Sequence, residues 1–321
     1  MTAKYFIGVD IGGTKMAAGL VTRNGKILLR RKVRTPSNPS KKIFLASVVN
    51  LVRELVAEGD LTIKDVAGIG IGIPGVIDPV HGKVLLITNL PLSGINLAAE
   101  LRKTFKLHIT VGNDANIAAL GEHCAGVAKN AGNIVNISVG TGVGGGLIIN
   151  GKLVTGSFFA GGELGHMIVK MDGPKCTCGK KGCLEAFAGR WAIEKAIRAG
   201  IAKGEKTVIT KYTQGKLKSI KSKTLRKALD KHDPLVTRVI KEAAKALGEA
   251  CVSIMHIIDP EFIILGGGVI EACGDYMMPL IRKAAESDAF LSSVSGCIIA
   301  KSSLGDDSII LGAAAAASQP R

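Results

Sequence analysis

The sequence predicts an α/β fold that is built from two units of related plan. Each unit opens with a meander of apolar, β-prone segments, and each meander contains one glycine-rich turn, at Asp10–Thr14 and at Gly140–Gly146. The dipeptides Asn24–Gly25 and Asn150–Gly151 are strong hairpin signals within the two meanders. Segments with apolar residues at helical spacing follow both meanders, and this repeated succession of strands and helices is typical of α/β proteins.

Turn residues and capping signals place the elements within each unit. Pro36 and Pro39 end the first meander, and Asp233–Pro234 supplies an N-cap and a first-turn proline for a long helix. The predicted strands are Lys4–Asp10, Met16–Thr22, Lys26–Thr35, Val66–Ile73, His108–Val111, Ile134–Val139, Gly146–Ile149, Lys152–Val154, Phe262–Leu265 and Cys297–Ala300. The predicted helices are Ile43–Glu58, Leu97–Phe105, Ala115–Ala125, Leu184–Lys203, Asp233–Ile258, a segment after Gly266–Gly268, and Ile309–Ser318.

Length and composition exclude several classes of protein. The chain has 321 residues, of which 47% are hydrophobic, so it can fill one large core or two ordinary ones. Its 41 glycines cluster without a three-residue period, which excludes collagen, and the composition also excludes disorder and a coiled coil. No segment resembles a signal peptide or approaches the roughly 20 apolar residues of a membrane span. We therefore expect a soluble, cytoplasmic enzyme.

The formal net charge of +16 is confined to two segments. Arg23–Lys42 has eight basic and no acidic residues, and Lys203–Lys231 has ten basic residues against two acidic ones. The second segment contains one aromatic residue and no recognisable nucleic-acid-binding motif, so no specific nucleic-acid partner is expected. Both segments are interpreted as solvated basic surfaces, and docking of a polyanion such as polyphosphate is the alternative.

The two glycine-rich turns are candidates for phosphate binding. Glycines between two strands let backbone N–H groups approach a phosphate closely, and Thr14 adds a hydroxyl donor. Asp10, at the end of the preceding strand, can hold Mg²⁺ through water. Gly140–Gly146 joins two strands rather than opening a helix, which argues against a Rossmann dinucleotide site. A tight turn without a ligand is the alternative for Asp10–Thr14.

The segment Gly112–Asp114 lies where a predicted strand passes into a helix, so we expect its polar side chains to face a cleft. Asp114 could accept the proton of an attacking hydroxyl group. The alternative is that Asn113 or Asp114 only caps the following helix.

The segment Cys176–Cys183 has a spacing typical of zinc sites, with cysteines at 176, 178 and 183. Zinc needs a fourth ligand, and His166 is the nearest candidate. Redox-active cysteines are the alternative. Glu163 and Glu185 flank these ligands, and their carboxylates suit the hydroxyl groups of a sugar. His166 could bind zinc through one ring nitrogen and donate to the sugar through the other.

Taken together, these motifs resemble the ROK family of sugar kinases, in the actin-like ATPase superfamily, from Tyr5 to about Ala315. Two of them are similar to the family's phosphate motifs, one to its adenosine-side turn, and two to its substrate and zinc signature. In that order they are DIGGTK (Asp10–Lys15), GTGVGGGLIINGKL (Gly140–Leu153), FIILGGG (Phe262–Gly268), ELGH (Glu163–His166) and CTCGKKGCLE (Cys176–Glu185).

The resemblance implies an α/β, two-domain actin-like (ribonuclease H-like) ATPase fold with an interdomain cleft. Residues 1–113 and about 302–321 would form the smaller domain, and residues 114–301 the larger domain with the zinc loop. The implied reaction transfers the γ-phosphoryl group of ATP to the 6-hydroxyl group of a hexose, with Asp114 as general base and with Mg²⁺ and a structural Zn²⁺.

The resemblance also assigns residues to each ligand. The implied sugar ligands are Gly75, Asn89, Asn113, Asp114, Glu163, His166 and Glu185. The implied nucleotide ligands are Asp10, Gly12, Gly13, Thr14, Lys15, Thr141, Gly142 and Gly267. The implied zinc ligands are His166, Cys176, Cys178 and Cys183.

Glucose is the first choice of acceptor, because the glutamate–histidine–glutamate set suits an unmodified hexose. Leu92 stands where the family often has tryptophan, and Phe158–Phe159 stands where its glucokinases often have Asn and Gly. An N-acetylhexosamine kinase (for N-acetylglucosamine or N-acetylmannosamine) and a fructokinase are therefore alternatives. A sugar-responsive regulator is the alternative from another class. Because only about five residues precede the first strand, a DNA-binding winged helix is not expected before it. A homo-oligomer, a dimer or tetramer, is also expected, with ATP or polyphosphate as donor.

Overall fold

A computed structural model describes residues 4–88, 90–217, 219–294 and 296–319. By its packing, the chain divides into two compact units. The first contains residues 4–136, 146–162 and 306–319, and the second contains residues 137–145 and 163–305. The domain boundaries that the resemblance implies, after residue 113 and at about residue 302, stay a prediction.

The first unit is built on a mixed five-stranded sheet. Its strands and those of a small ribbon are β1 (Tyr5–Ile11), β2 (Lys15–Thr22), β3 (Ile27–Arg34), β4 (Val66–Ile73), β5 (Val76–Asp78), β6 (Lys83–Leu86) and β7 (His108–Asn113). Its helices include α1 (Lys41–Glu58), α2 (Leu97–Phe105) and α3 (Asp114–Ala125). The sheet has the order β3-β2-β1-β4-β7, while β5 and β6 pair with each other. Strands β1, β2 and β3 are antiparallel neighbours, and β4 is parallel to both β1 and β7.

A second five-stranded sheet has the order β10-β9-β8-β11-β12. Its strands are β8 (Ile134–Val139), β9 (Val143–Ile149), β10 (Lys152–Leu153), β11 (Phe262–Gly266) and β12 (Ile298–Lys301). The remaining helices are α4 (Glu185–Ala188), α5 (Arg190–Ala202), α6 (Ile209–Tyr212), α7 (Ser222–Leu229), α8 (Pro234–Ile258), α9 (Gly268–Glu286), α10 (Leu291–Val294) and α11 (Asp307–Ser318). Asp233 caps α8 as predicted, because its Oδ1 accepts from the Val236 N–H at 2.9 Å. Among the helices of the described residues, none has the length and apolarity needed to cross a bilayer.

The single helix predicted over Leu184–Lys203 is wrong, because the chain breaks at Gly189 into α4 and α5. Gly189 adopts an extended conformation with ψ of 141°. The first N–H groups of α5 donate to backbone carbonyl groups of the second glycine-rich turn instead of continuing α4. A distant contact thus overrides the local helical pattern.

Helix α11 packs on β1, β4 and α3 of the first unit, and small residues allow the close approach. A Cβ atom added at Gly8 would lie 1.9 Å from the Ile310 carbonyl oxygen, and one at Gly70 would lie 1.8 Å from the Ala313 carbonyl oxygen. Side chains of β1 that alternate with Gly8, such as Ile7 and Val9, belong instead to the core under α1 and α2.

We expect Gly70→Ala to destabilise the protein strongly, because the added methyl group would meet helix backbone, which cannot rotate away. Overpacking of this kind costs about 1–3 kcal/mol or more of the free energy of unfolding. Urea unfolding measures the effect. Gly296→Ala is the control, because a Cβ at that position meets nothing within 4 Å. Equal stability of the two variants would contradict the close packing of α11.

Candidate active site

The first glycine-rich turn joins β1 to β2, and two of its backbone N–H groups have no partner among the described residues. The Thr35 hydroxyl donates to the Gly12 carbonyl oxygen at 2.6 Å, and the Thr35 N–H donates to the Thr14 carbonyl oxygen at 3.1 Å. In the part of the chain that the structure describes, the N–H groups of Gly13 and Thr14 make no hydrogen bond. Consecutive N–H groups of this kind form an anion-binding concavity, so the turn fits a phosphate group.

A cavity of about 760 Å³ lies beside this turn, within the first unit. Its volume falls in the range of small-molecule sites. The predicted sugar ligand Asn89 lies outside the described residues, although its neighbours in sequence, Thr88 and Leu90, both line the cavity. The lining residues are Gly13, Thr14, Arg34, Thr35, Pro36, Ser37, Asn38, Pro39, Thr88, Leu90 and Pro91.

Two carboxylates, those of Asp10 and Asp114, lie near each other at the carboxyl edge of the first sheet. Asp10 lies opposite Gly72 in β4, and Gly72 lies opposite Gly112, two residues before Asp114. The pKa of Asp10 is raised to about 7, first by burial and next by the negative charge of Asp114. Neighbouring carboxylates beside a phosphate-binding turn are a donor set that Mg²⁺ favours, so these residues fit the cation.

Asn113 is the N-cap of α3. Its Oδ1 accepts from the N–H groups of Ala115 at 3.0 Å and Asn116 at 3.1 Å, and its Nδ2 donates to the Gly75 carbonyl oxygen at 3.0 Å. Gly75 has φ of 107°, and a Cβ there would lie 2.2 Å from a backbone carbonyl oxygen, so this position requires glycine. The predicted residues Gly75, Asn113 and Asp114 are thus brought together, and their roles toward a sugar stay a prediction.

The second glycine-rich turn docks onto the N-terminus of α5. The N–H groups of Arg190 and Trp191 donate to the carbonyl oxygens of Gly140 at 3.1 Å and Thr141 at 3.2 Å. The N–H groups of Thr141 and Gly142 have no hydrogen-bond partner among the described residues. Because its carbonyl groups are occupied and these N–H groups are not, this turn also fits a phosphate group.

Gly267 lies between β11 and α9, where it has φ of 83°. A Cβ at this position would lie 2.7 Å from the Val139 carbonyl oxygen. The backbone of β8 therefore approaches this turn closely, and only glycine fits. Its contact with a nucleotide stays a prediction.

The four predicted zinc ligands lie together, and one ligand atom from each lies within 4.8 Å of all the others. Cys176 Sγ is 3.7 Å from His166 Nδ1, and Cys178 Sγ is 3.6 Å from Cys183 Sγ. Tetrahedral zinc with Zn–S bonds of about 2.3 Å separates its ligand atoms by about 3.8 Å. A hydrogen bond from the Lys180 backbone lowers the pKa of Cys178 and favours its thiolate. The cluster therefore fits a structural Zn²⁺ ion with all four positions filled by protein.

Glu185 links the zinc loop to the second glycine-rich turn. Its Oε2 accepts from the Val143 N–H at 2.9 Å, and its Oε1 accepts from Trp191 Nε1 at 3.1 Å and from Thr177 Oγ1 at 3.3 Å. A Cβ at Gly142 would lie 2.3 Å from Oε2, so the carboxylate packs directly against the turn. Sequence reasoning predicts only a sugar contact for Glu185 and misses this structural role.

Glu163 and His166 are both exposed beside the zinc cluster. Glu163 precedes a 3₁₀ turn, Leu164–His166, and its carboxylate makes no hydrogen bond among the described residues. His166 uses Nδ1 toward Cys176, so Nε2 is the ring nitrogen that can meet a ligand. The Glu163 carboxylate and His166 Nε2 are therefore the polar groups that can form hydrogen bonds with a sugar.

Part of the first basic segment is ion-paired on an exposed surface, and Lys15 of the first glycine-rich turn shares one of its acidic partners. Lys15 of the phosphate turn and Lys32 of β3 each approach Asp306 Oδ2 to 3.1 Å. Arg30 Nε donates to Asp307 Oδ1 at 2.8 Å. These acidic residues stand at the start of α11, 291 positions after Lys15, so no local pattern signals the pairing.

Comparisons with known proteins show which family the chain matches. The model of the ROK family matches residues 6–320. The glucokinase of Thermotoga maritima is 34% identical over 309 residues, which cover 96% of this chain and 95% of that protein. The xylose repressor of Caldicellulosiruptor bescii is 28% identical and covers 95% of this chain, which spans 76% of the repressor.

A solved structure, a ROK family glucokinase from Streptomyces griseus in complex with glucose and AMPPNP, aligns with a TM-score of 0.83 and 31% identity. The alignment covers 98% of this chain and all of that one. The predicted two-domain actin-like fold is thereby confirmed. The chain therefore belongs to the ROK family.

Proposed function

We propose that this sugar kinase transfers the γ-phosphoryl group of ATP to the 6-hydroxyl group of a hexose, with glucose as the preferred acceptor. The observation that carries the proposal is the edge of the first sheet, where Asp10 lies near Asp114. The N–H groups of Gly13 and Thr14, a few positions after Asp10, have no partner in the described part of the chain. The glucokinase relatives, one of them bound to glucose and AMPPNP, support both substrates.

Asp114 acts as the general base in this proposal. A hydrogen bond of 2.9 Å from the Ala115 N–H to Asp114 Oδ1 orients the carboxylate at the start of α3. It accepts the proton as the sugar hydroxyl attacks the γ-phosphorus, and the bond from that phosphorus to the bridging oxygen of ADP breaks. The Asn113 cap fixes the backbone at this point, because it ties α3 to Gly75.

The two glycine-rich turns hold the phosphate groups in this proposal. The N–H groups at positions 13, 14, 141 and 142 have no partner within the described ranges, and they donate to phosphate oxygens, while Lys15 adds a positive charge. Mg²⁺ held by Asp10 would neutralise negative charge on the phosphates during transfer.

The zinc loop positions the acceptor sugar. Zinc at His166 Nδ1 would fix the imidazole ring, so that Nε2 faces a sugar hydroxyl group, and Glu163 accepts from another. Phe158 is 86% exposed, and Phe159 has φ of 60°, which is unusual for an aromatic residue. Because these two residues replace the Asn and Gly that the family's glucokinases often have, an N-acetylhexosamine kinase and a fructokinase are alternative functions with the same chemistry.

A sugar-responsive regulator is the second candidate, because a xylose repressor matches most of this chain. Asp114 and the two turns with unpartnered N–H groups favour the kinase, since a sensor needs neither a general base nor phosphate sites. The cytoplasmic location, the homo-oligomer and the use of polyphosphate stay predictions.

We expect a panel of sugars to separate these functions. Phosphorylation of glucose, mannose, fructose, N-acetylglucosamine and N-acetylmannosamine is measured with ATP and, separately, with polyphosphate. Glucose should give the highest kcat/KM with ATP. Preference for an N-acetylated sugar or fructose would replace glucose as the acceptor, and absence of transfer to every sugar from either donor would contradict the kinase.

A further inference from the structure

Arg190 is a cation at the second glycine-rich turn that no motif of the sequence accounts for. It is the first residue of α5, and its backbone N–H holds the Gly140 carbonyl oxygen. Its guanidinium group reaches the same turn, where Nη2 donates to Thr141 Oγ1 at 2.9 Å. The side chain is 32% exposed, so the guanidinium is held against the turn and is still accessible.

Most hydrogen-bonding capacity of Arg190 is unused. A guanidinium group has five N–H donors, and among the described residues only the contact with Thr141 meets hydrogen-bond geometry. The Nε atom is buried without a hydrogen-bond partner. Its nearest acidic atom is Glu194 Oε1 at 3.5 Å, and Glu194 also pairs with Arg198 at 3.3 Å. The Glu194 carboxylate therefore serves two cations, while the Glu185 carboxylate, which also lies at the turn, accepts from Val143 and Trp191.

This unused capacity lies at the turn whose N–H groups at Thr141 and Gly142 are also unpartnered. A planar guanidinium beside consecutive N–H groups matches the tetrahedral oxygens of a phosphate, because both supply donors and the cation supplies charge. The donors of this turn and of Arg190 together suit the oxygens of a phosphate group.

We propose that Arg190 binds a phosphate oxygen of the nucleotide at the second glycine-rich turn, together with the N–H groups of Thr141 and Gly142. The inference rests on the proposed function, since it assigns the anion to the phosphate donor. Arg190 thereby becomes a nucleotide ligand in addition to the residues that the family motifs supply.

The test compares binding of ATP, ADP and adenosine to the full-length chain by calorimetry, without sugar and without turnover. Arg190→Met should weaken ATP and ADP binding about 10- to 100-fold, as expected for a charge-assisted hydrogen bond, and should leave adenosine binding within about twofold. Arg190→Lys should restore part of the affinity, because it keeps the charge and loses the planar fork. The emission of Trp191, the only tryptophan of the chain, reports whether the turn keeps its structure.

Arg198→Met is the matched control, because Arg198 shares Glu194 with Arg190, and no contact of its side chain with the turn is found among the described residues. It should bind all three ligands like the unaltered protein. An equal loss of ATP, ADP and adenosine binding in Arg190→Met would assign Arg190 to support of the turn and overturn the proposal, as would unchanged ATP affinity. If the unaltered chain binds no nucleotide but phosphorylates sugar from polyphosphate, the inference fails while the kinase stands. If the unaltered chain neither binds nucleotide nor phosphorylates sugar, both the inference and the proposed function fail.

Discussion

Replacement of Asp114 by asparagine is expected to lower kcat by about 10²- to 10⁴-fold, the range that a positioned general base contributes. Asparagine has nearly the shape of aspartate and keeps an Oδ1 that can accept the Ala115 N–H, now at 2.9 Å, so α3 should begin unchanged. The amide cannot take a proton from the attacking hydroxyl group. Sugar affinity, measured by calorimetry, should therefore change only a few-fold while turnover collapses.

The control for this variant is Asp60→Asn, which makes the same chemical change at an exposed residue in the turn after α1, outside the candidate site. Asp60 has φ of 53°, a conformation that asparagine tolerates well, so stability should not fall. Its kcat should equal that of the unaltered protein. A similar kcat in both variants would contradict the role of Asp114 as base, and a parallel loss of sugar affinity would show that it acts mainly as a sugar ligand.

Loss of one zinc ligand should have the second large effect. Cys178 is exposed, so Cys178→Ser removes a thiolate without disturbing a packed core. Three ligands hold zinc far more weakly than four, and structural zinc contributes its binding free energy to folding. We expect zinc content to fall from about one ion per chain to near zero. Amides of residues 166–185 should then exchange much faster with solvent, and the glutamate–histidine–glutamate set should lose its alignment.

Lys180→Ser is the matched control, since Lys180 lies between the ligands and its side chain is exposed. It should retain zinc and protection from exchange. Elemental analysis measures the zinc content of both variants, and hydrogen exchange measures the protection of their amides. A fully active unaltered protein without bound metal would contradict the zinc assignment.

The parts of the site that sequence reasoning predicts are those whose residues are close together in the chain. Cys176–Cys183 carries three ligands within eight residues, and DIGGTK is a strand end followed by a tight turn. Hydrophobic runs and hairpin dipeptides likewise predict most strands of both sheets. Local spacing suffices in these cases because the geometry is itself local.

The parts that sequence reasoning misses depend on partners that are far apart in the chain. Gly189 interrupts a good helical pattern because the second glycine-rich turn, nearly 50 residues earlier, accepts the N–H groups of α5. The Glu185 carboxylate accepts the N–H group of Val143, 42 residues away, and no pattern of sequence spacing predicts this contact. The basic residues of β3 are predicted to form a solvated surface for the same reason, because their partners Asp306 and Asp307 lie more than 270 positions later in the chain.

The position of α11 has a consequence for synthesis of the protein. Strands β1 and β4 of the first sheet precede in the chain the helix that covers their glycine-lined face, with Gly8 and Gly70, because that helix ends at Ser318. During synthesis this face therefore stays uncovered until the residues of α11 have been translated. Contacts of such long sequence separation form slowly, because the chain loses the entropy of loop closure before these contacts stabilise it. We therefore expect a chaperone that binds this face to be released only after α11 has been synthesised.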